Sequence, residues 1–149
     1  MSRMYTVVHQ GTFGTPAGDL LQIVAGATET VILHSLVITG ITETDDSNEV
    51  IISRFVTIGS GGSALSANPL SLKTAADSAT ILGFNTTDAS STETILYREG
   101  MSILAGYQKI WTPEARPVID PTGNIVVRLS IAWTADPTLS ITCEFEEVG

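Results

Sequence analysis

Sulfur, histidine and positive charge are all scarce in this chain. Cys143 is its one cysteine, which excludes an intrachain disulfide and a thiolate-based zinc cluster, since each needs several thiols close together. His9 and His34 are the only histidines, and no H-x-x-x-H or H-E-x-x-H spacing relates them, so a His-rich metal site is not expected. Only 7 Lys and Arg stand against 16 Asp and Glu, a formal net charge of -9. A surface of that sign repels phosphate backbones, which removes nucleic acid from the expected partners. No apolar run approaches the roughly 18 residues of a spanning helix, and Met1 to Tyr5 lack the apolar core of a secretory signal. The expectation is a soluble protein made in the cytoplasm and independent of membranes.

What is present is hydrophobic and strand-like. With 149 residues, 43% hydrophobic and 15% charged, the chain suits one domain over 1–149 with one core. Ile125, Val127, Leu129, Ile131 and Trp133 alternate with Val126, Arg128, Ser130 and Ala132, which predicts a strand with one buried side. Leu139, Ile141, Cys143 and Phe145 alternate in the same way with Ser140, Thr142 and Glu144, and the two runs are expected to pair as a hairpin. Asp120-Pro121-Thr122-Gly123 carries type I turn residues just ahead of the first run. Earlier runs at Tyr5 to Val8, Leu20 to Ala25, Val31 to Ile38, Val50 to Ile58, Ile95 to Tyr97 and Met101 to Leu104 are mostly bounded by turn formers. This pattern predicts an all-β antiparallel sandwich or barrel. A short helix after Pro69, within Leu65 to Ala79, is the one helical candidate. In Val31 to Ile38 neither face reads as solvated, which leaves two explanations open: a central strand under the chain's own loops, or a subunit interface.

No constellation of residues points to catalysis. Gly59-Ser60-Gly61-Gly62-Ser63-Ala64 fits a relaxed G-x-G-x-x-A phosphate loop, but Asn68-Pro69 interrupts the helix such a site requires. The loop reads instead as one that admits positive φ or close approach of a partner. Asp45, Asp46, Asn48 and Glu49 miss the spacing of a calcium loop and read as a solvated turn. No G-x-S-x-G elbow marks a nucleophile. Cys143 falls on the apolar face of its strand and is expected to be buried and unreactive, while Glu144, Glu146 and Glu147 read as solvated acids that discourage stray strand pairing. Asn85-Thr86-Thr87 is a glycosylation sequon without a secretory signal. Trp133 falls on a buried face, which leaves Trp111 as the aromatic platform available to a sugar. The expectation is therefore no enzyme, no cofactor and no metal.

Gly59-Ser60-Gly61-Gly62-Ser63, Asn68-Pro69-Leu70, Asn85-Thr86-Thr87, Trp111-Thr112-Pro113-Glu114 and Phe145-Glu146-Glu147 follow one another in an order and spacing that resembles a group of small proteins of tailed bacteriophages and prophages. Asn68 departs from that pattern, which often has proline there. Members are similar to head decoration, or cement, proteins. The resemblance implies a jelly-roll-like structural protein of the virion, often a trimer, that binds the major capsid protein on the head surface. It transfers no catalytic residue. In that setting residues 1–10 are expected to form an N-terminal arm or edge strand whose Tyr5, Val7 and Val8 add to a neighbour's sheet. Gly59, Gly61 and Gly62 are expected to lie against partner backbone, with Trp111 as a further contact. The alternative is a glycan-binding module of a phage tail or fibre, using Trp111 and the loop from Asp45 to Glu49.

Overall fold

Side chains that alternate between apolar and polar give strands with one buried face, and two sheets of such strands must close on each other. The computed structural model describes residues 2–14, 17–41, 46–71 and 76–149. Within them the strands are β1 (Ser2–Thr12), β2 (Gly18–Val24), β3 (Thr30–Gly40), β4 (Ser47–Thr57), β5 (Ser63–Leu65), β6 (Asn68–Pro69), β7 (Thr80–Gly83), β8 (Ser90–Ser102), β9 (Tyr107–Ile110), β10 (Val118–Ile119), β11 (Asn124–Leu129) and β12 (Thr138–Val148). The first sheet runs β10-β3-β12-β1-β6, with β9 also on β3, and the second runs β5-β7-β2-β11-β4-β8. Every pairing is antiparallel.

Setting β5, β6 and β7 aside, the chain steps from one sheet to the other at every connection except β4 to β8 and β9 to β10. This leaves β1, β12, β3 and β9/β10 facing β2, β11, β4 and β8, the two interlocked Greek keys of a jelly roll. The segment between β4 and β8 is an insertion at one side of the sandwich. Its β6 extends the first sheet beyond β1, and its β5 and β7 extend the second beyond β2.

Four local expectations change. β11 and β12 do not form a hairpin, because they lie in opposite sheets and residues 130–137 cross the end of the sandwich between them. Alternation identifies the buried face of a strand but not its neighbour. The β11 pattern also stops early: Ser130 N–H bonds to Glu49 O, and Ile131 is 51% exposed. In the Asp120 to Gly123 turn, Gly123 N–H closes on Asp120 O at 2.8 Å, but Thr122 has φ 63°, which belongs to a type II geometry. The helical turn among the described residues is a 3₁₀ piece at Pro113–Ala115. Pro69 belongs to β6, and residues 72–75 of the expected helix lie outside the described set.

The doubly apolar run in β3 is resolved by a bulge. The register against β12 shifts between Glu144 and Phe145, which face Ser35 and Leu33 and leave His34 as the extra residue. One added residue reverses the alternation, so Val31, Leu33, Leu36 and Ile38 all turn inward and are buried. β3 is a central strand, with β12 on one side and β9 and β10 on the other.

Residues 2–10 do not form a free arm. β1 pairs with β12 along its whole length, from Ser2 opposite Val148 to Thr12 opposite Thr138. Tyr5 stands directly across from Phe145, with ring centroids 5.5 Å apart, and both are fully buried. Val7, across from buried Cys143, is also in the core. Truncation of Tyr5 to Ala is therefore expected to cost about 3–5 kcal/mol, the usual range for emptying a buried aromatic site, read as a fall in the denaturant midpoint. A change below 1 kcal/mol by order of magnitude would contradict this placement.

Candidate functional site

The two outer faces of the sandwich are finished differently. β7 is the second strand of its sheet and β8 the last, so the link between them crosses outside β2, β11 and β4. Non-glycine residues with left-handed backbone flank this crossover, Phe84 at φ 52° and Ser91 at φ 68°. Beneath it Ala89 packs with Phe55 and Val126 as a second small core.

Polar side chains moor the crossover. Asp19 is fully buried on β2; its Oδ2 accepts the Ala89 N–H at 2.6 Å, and its Oδ1 faces Arg128 Nη2 at 3.3 Å. Its own N–H donates to Asp88 Oδ1 at 2.9 Å. Arg128 also lies 3.7 Å from Glu93 and 4.7 Å over the Phe55 ring. Gln22, likewise buried, accepts the Gly59 N–H at 2.7 Å, and Asn85 Nδ2 donates to both Gln22 and Asp19.

This network accounts for the glycine loop. A Cβ at Gly59 would stand 2.6 Å from Thr87 O, and one at Gly61, where φ is 75°, would overlap Thr86 Oγ1. A Cβ at Gly62 would stand 2.6 Å from Asn85 Oδ1 and 2.7 Å from Gly83 O. The three glycines expected to meet a partner thus pack against residues 83–87 of their own chain. The loop leads into strand β5, not into the helix of a phosphate site.

Among the described residues, no such crossover covers the outer face of the first sheet. Its register aligns Thr6, Glu144, Ser35 and Ile110 in one row and Val8, Thr142, Val37 and Gln108 in the next. Val8 is 54% and Ile110 70% exposed. The acids here are engaged: Glu144 accepts the Ser35 hydroxyl at 2.9 Å, and Glu146 meets His34 Nε2 at 3.0 Å and the Ser2 hydroxyl. The Ser2 bond and, after it, His34 hold the Glu146 carboxyl below its ordinary value. Towards β9 the face carries an open cleft of about 360 Å³ between His34, Val37, Ile110, Arg116 and Glu144.

Of the residues expected to bind a partner, Val8 alone presents a large apolar side chain to solvent. Tyr5 and Val7 are core, and Trp111 is 3% exposed with its ring 5.8 Å from Tyr97, so it cannot serve as a sugar platform. Trp133 is buried as expected. Asp45 lies outside the described residues. Asp46 accepts the Thr134 N–H and hydroxyl, and Asn48 holds Ile131 through both its N–H and its C=O, so these residues brace the 130–137 crossing. Cys143 is buried, and loss of solvation pushes its thiol up to about 12. Glu147 is not a solvated acid: it is 1% exposed and accepts the N–H groups of Ser78 and Ala79, each at 2.9 Å.

Among the described residues no group of three or more His, Cys, Asp or Glu is placed to hold a metal ion, and no helix is long and apolar enough to cross a membrane. The open face, with Thr6, Val37, Thr142 and Ile110, was missed by motif reading; its signal is the β-branched residues at the outward positions of β1, β3, β9 and β12. Comparison with protein-family models, curated proteins and solved structures finds no match.

Burial raises the Asp19 carboxyl above its ordinary value, against the lowering effect of the Ala89 N–H. A raised carboxyl contributes stability that is complete below its unfolded value and is lost as pH rises through the folded one. The melting temperature of the native chain minus that of Asp19→Asn is therefore expected to be largest in acid and to shrink on the way to neutrality. A difference that grows towards neutral pH, measured by calorimetry, would rule out this account.

Proposed function

We propose that the chain is a decoration protein of a tailed-phage head, a cement module that binds the outer surface of the major capsid shell and stabilises it. The observation that carries this reading is the contrast between the two outer faces. One is roofed by the chain's own crossover, while the other is open and rich in Thr, Val and Ile. In a protein with a net charge of -9, such a weakly charged face is the natural place for a flat protein contact. The jelly-roll frame supports the reading because rigid strands hold that face in one shape. A homotrimer engaging several capsid subunits turns individually weak contacts into firm attachment through effective concentration.

The open face supplies the contact in this proposal, in place of an N-terminal arm and the glycine loop. Val8→Lys and Ile110→Lys both alter exposed positions, so each is expected to change stability by no more than about 0.5 kcal/mol. The double variant should bind heads assembled without this protein at least about tenfold more weakly than the native chain, an equilibrium change of about 1.4 kcal/mol. Cosedimentation and imaging of the heads provide the readout. Equal binding by both proteins would remove the face from the contact, and no binding by the native chain would reject the cement role.

A further inference from the structure

Among the described residues, the strands that end the sheets are short except for β8. β10 has two residues and follows Pro117, β6 has two including Pro69, β5 has three and β9 has four. β8 has 13 residues and, among the described strands, pairs only with β4. Its C-terminal half is shielded: Tyr97 Oη donates to Ala115 O at 2.6 Å, Glu99 pairs with Lys109, and Met101 is buried. Its N-terminal half, Ser90 to Ile95, is exposed at every residue. That stretch has no lysine or proline to repel an incoming strand, and its one charge, Glu93, is turned onto Ser53 and Arg128. A long bare edge is a template for strand addition.

Positive charge collects at the same edge. Of the 7 Lys and Arg in the chain, five touch β8 or the cleft beside it: Arg98 within it, Arg54 on β4 across from Thr94, Lys109 on Glu99, Arg128 on Glu93, and Arg116. Arg98, Lys109 and Arg128 are neutralised by acids. Arg54 and Arg116 line one open cleft of about 350 Å³ with Tyr97 and Glu114, and among the described residues neither has a carboxylate within 4.0 Å. Arg54 Nη2 donates to Val118 O at 2.5 Å, and the buried Arg116 Nε has no hydrogen-bond partner.

We propose that the exposed half of β8, with Arg54 and Arg116 beside it, takes an extended acidic peptide segment of a partner protein as an added strand. Main-chain hydrogen bonds to Thr92 through Ile95, beyond the left-handed Ser91, supply the pairing, and a carboxylate of the segment enters the cleft between the two guanidinium groups. The chain's overall negative charge repels such a segment everywhere else, so this edge selects it by position as well as by sign.

The test uses the whole chain, labelled for amide NMR, and two synthetic peptides, one alternating Glu and Val and the other Lys and Val. The Glu–Val peptide should shift the amides of Thr92 to Ile95, Arg54 and Arg116, and bind more weakly as salt is raised. Arg54→Glu combined with Arg116→Glu should weaken it about tenfold or more. Thr92 lies where the β4 pairing skips between Glu93 and Ser90, so Thr92→Pro should spare the β4 ladder and still abolish binding. Equal binding of the Lys–Val peptide, shifts centred elsewhere, or no shift at millimolar peptide would each overturn the proposal. Neither peptide reports on head binding, so this result and that of the decoration test are independent.

Discussion

The pairing of β1 with β12 is the constraint on which the other elements depend. These strands come from opposite ends of the described chain and lie side by side in the middle of the first sheet, with Tyr5 against Phe145 at their centre. Once they are joined, β3 has a partner on which to align, and the second sheet has an apolar floor on which to close. Such a contact is formed only after a long loop has been closed, so it is slow to reach and cooperative once made. The same pairing makes the open outer face continuous, because its rows run from β1 through β12 to β3.

Which residues face inward was legible in the sequence wherever alternation ran unbroken. Ile125, Val127 and Leu129 in β11, and Leu139, Ile141, Cys143 and Phe145 in β12, are all buried, but β11 does not keep one solvated side, because Val126 is fully buried beneath the crossover. It was illegible where geometry breaks the period. The His34 bulge returns Leu36 and Ile38 to the same side as Val31 and Leu33, and no residue type announces a bulge at that position. Neighbours were illegible too, since β11 and β12 are consecutive yet belong to different sheets.

The candidate site was the least legible part, for a related reason. The glycines at 59, 61 and 62 were recognisable as positions of close approach, but not what approaches them: it is the chain's own Asn85 to Thr87. Trp111 follows an outward-facing Ile110, so the next position points inward, a fact that depends on locating β9. Asp19 and Arg128 are far apart in sequence and meet only because β2 and β11 are adjacent. The division of labour between the two faces follows from this arrangement. A crossover that roofs one sheet uses the chain's long connection there and leaves the other sheet uncovered.

Glu147 has a broader implication. By gripping the main chain at Ser78 and Ala79, it fastens the insertion to the terminal strand, while Leu70 N–H reaches Met4 O on β1. The inserted piece is thereby clamped to both members of the central pair and behaves as a part of the frame instead of an ornament hung upon it. Peeling it away would strip hydrogen-bond donors and apolar cover from the strands that order everything else, so its loosening and the collapse of the whole body amount to one event.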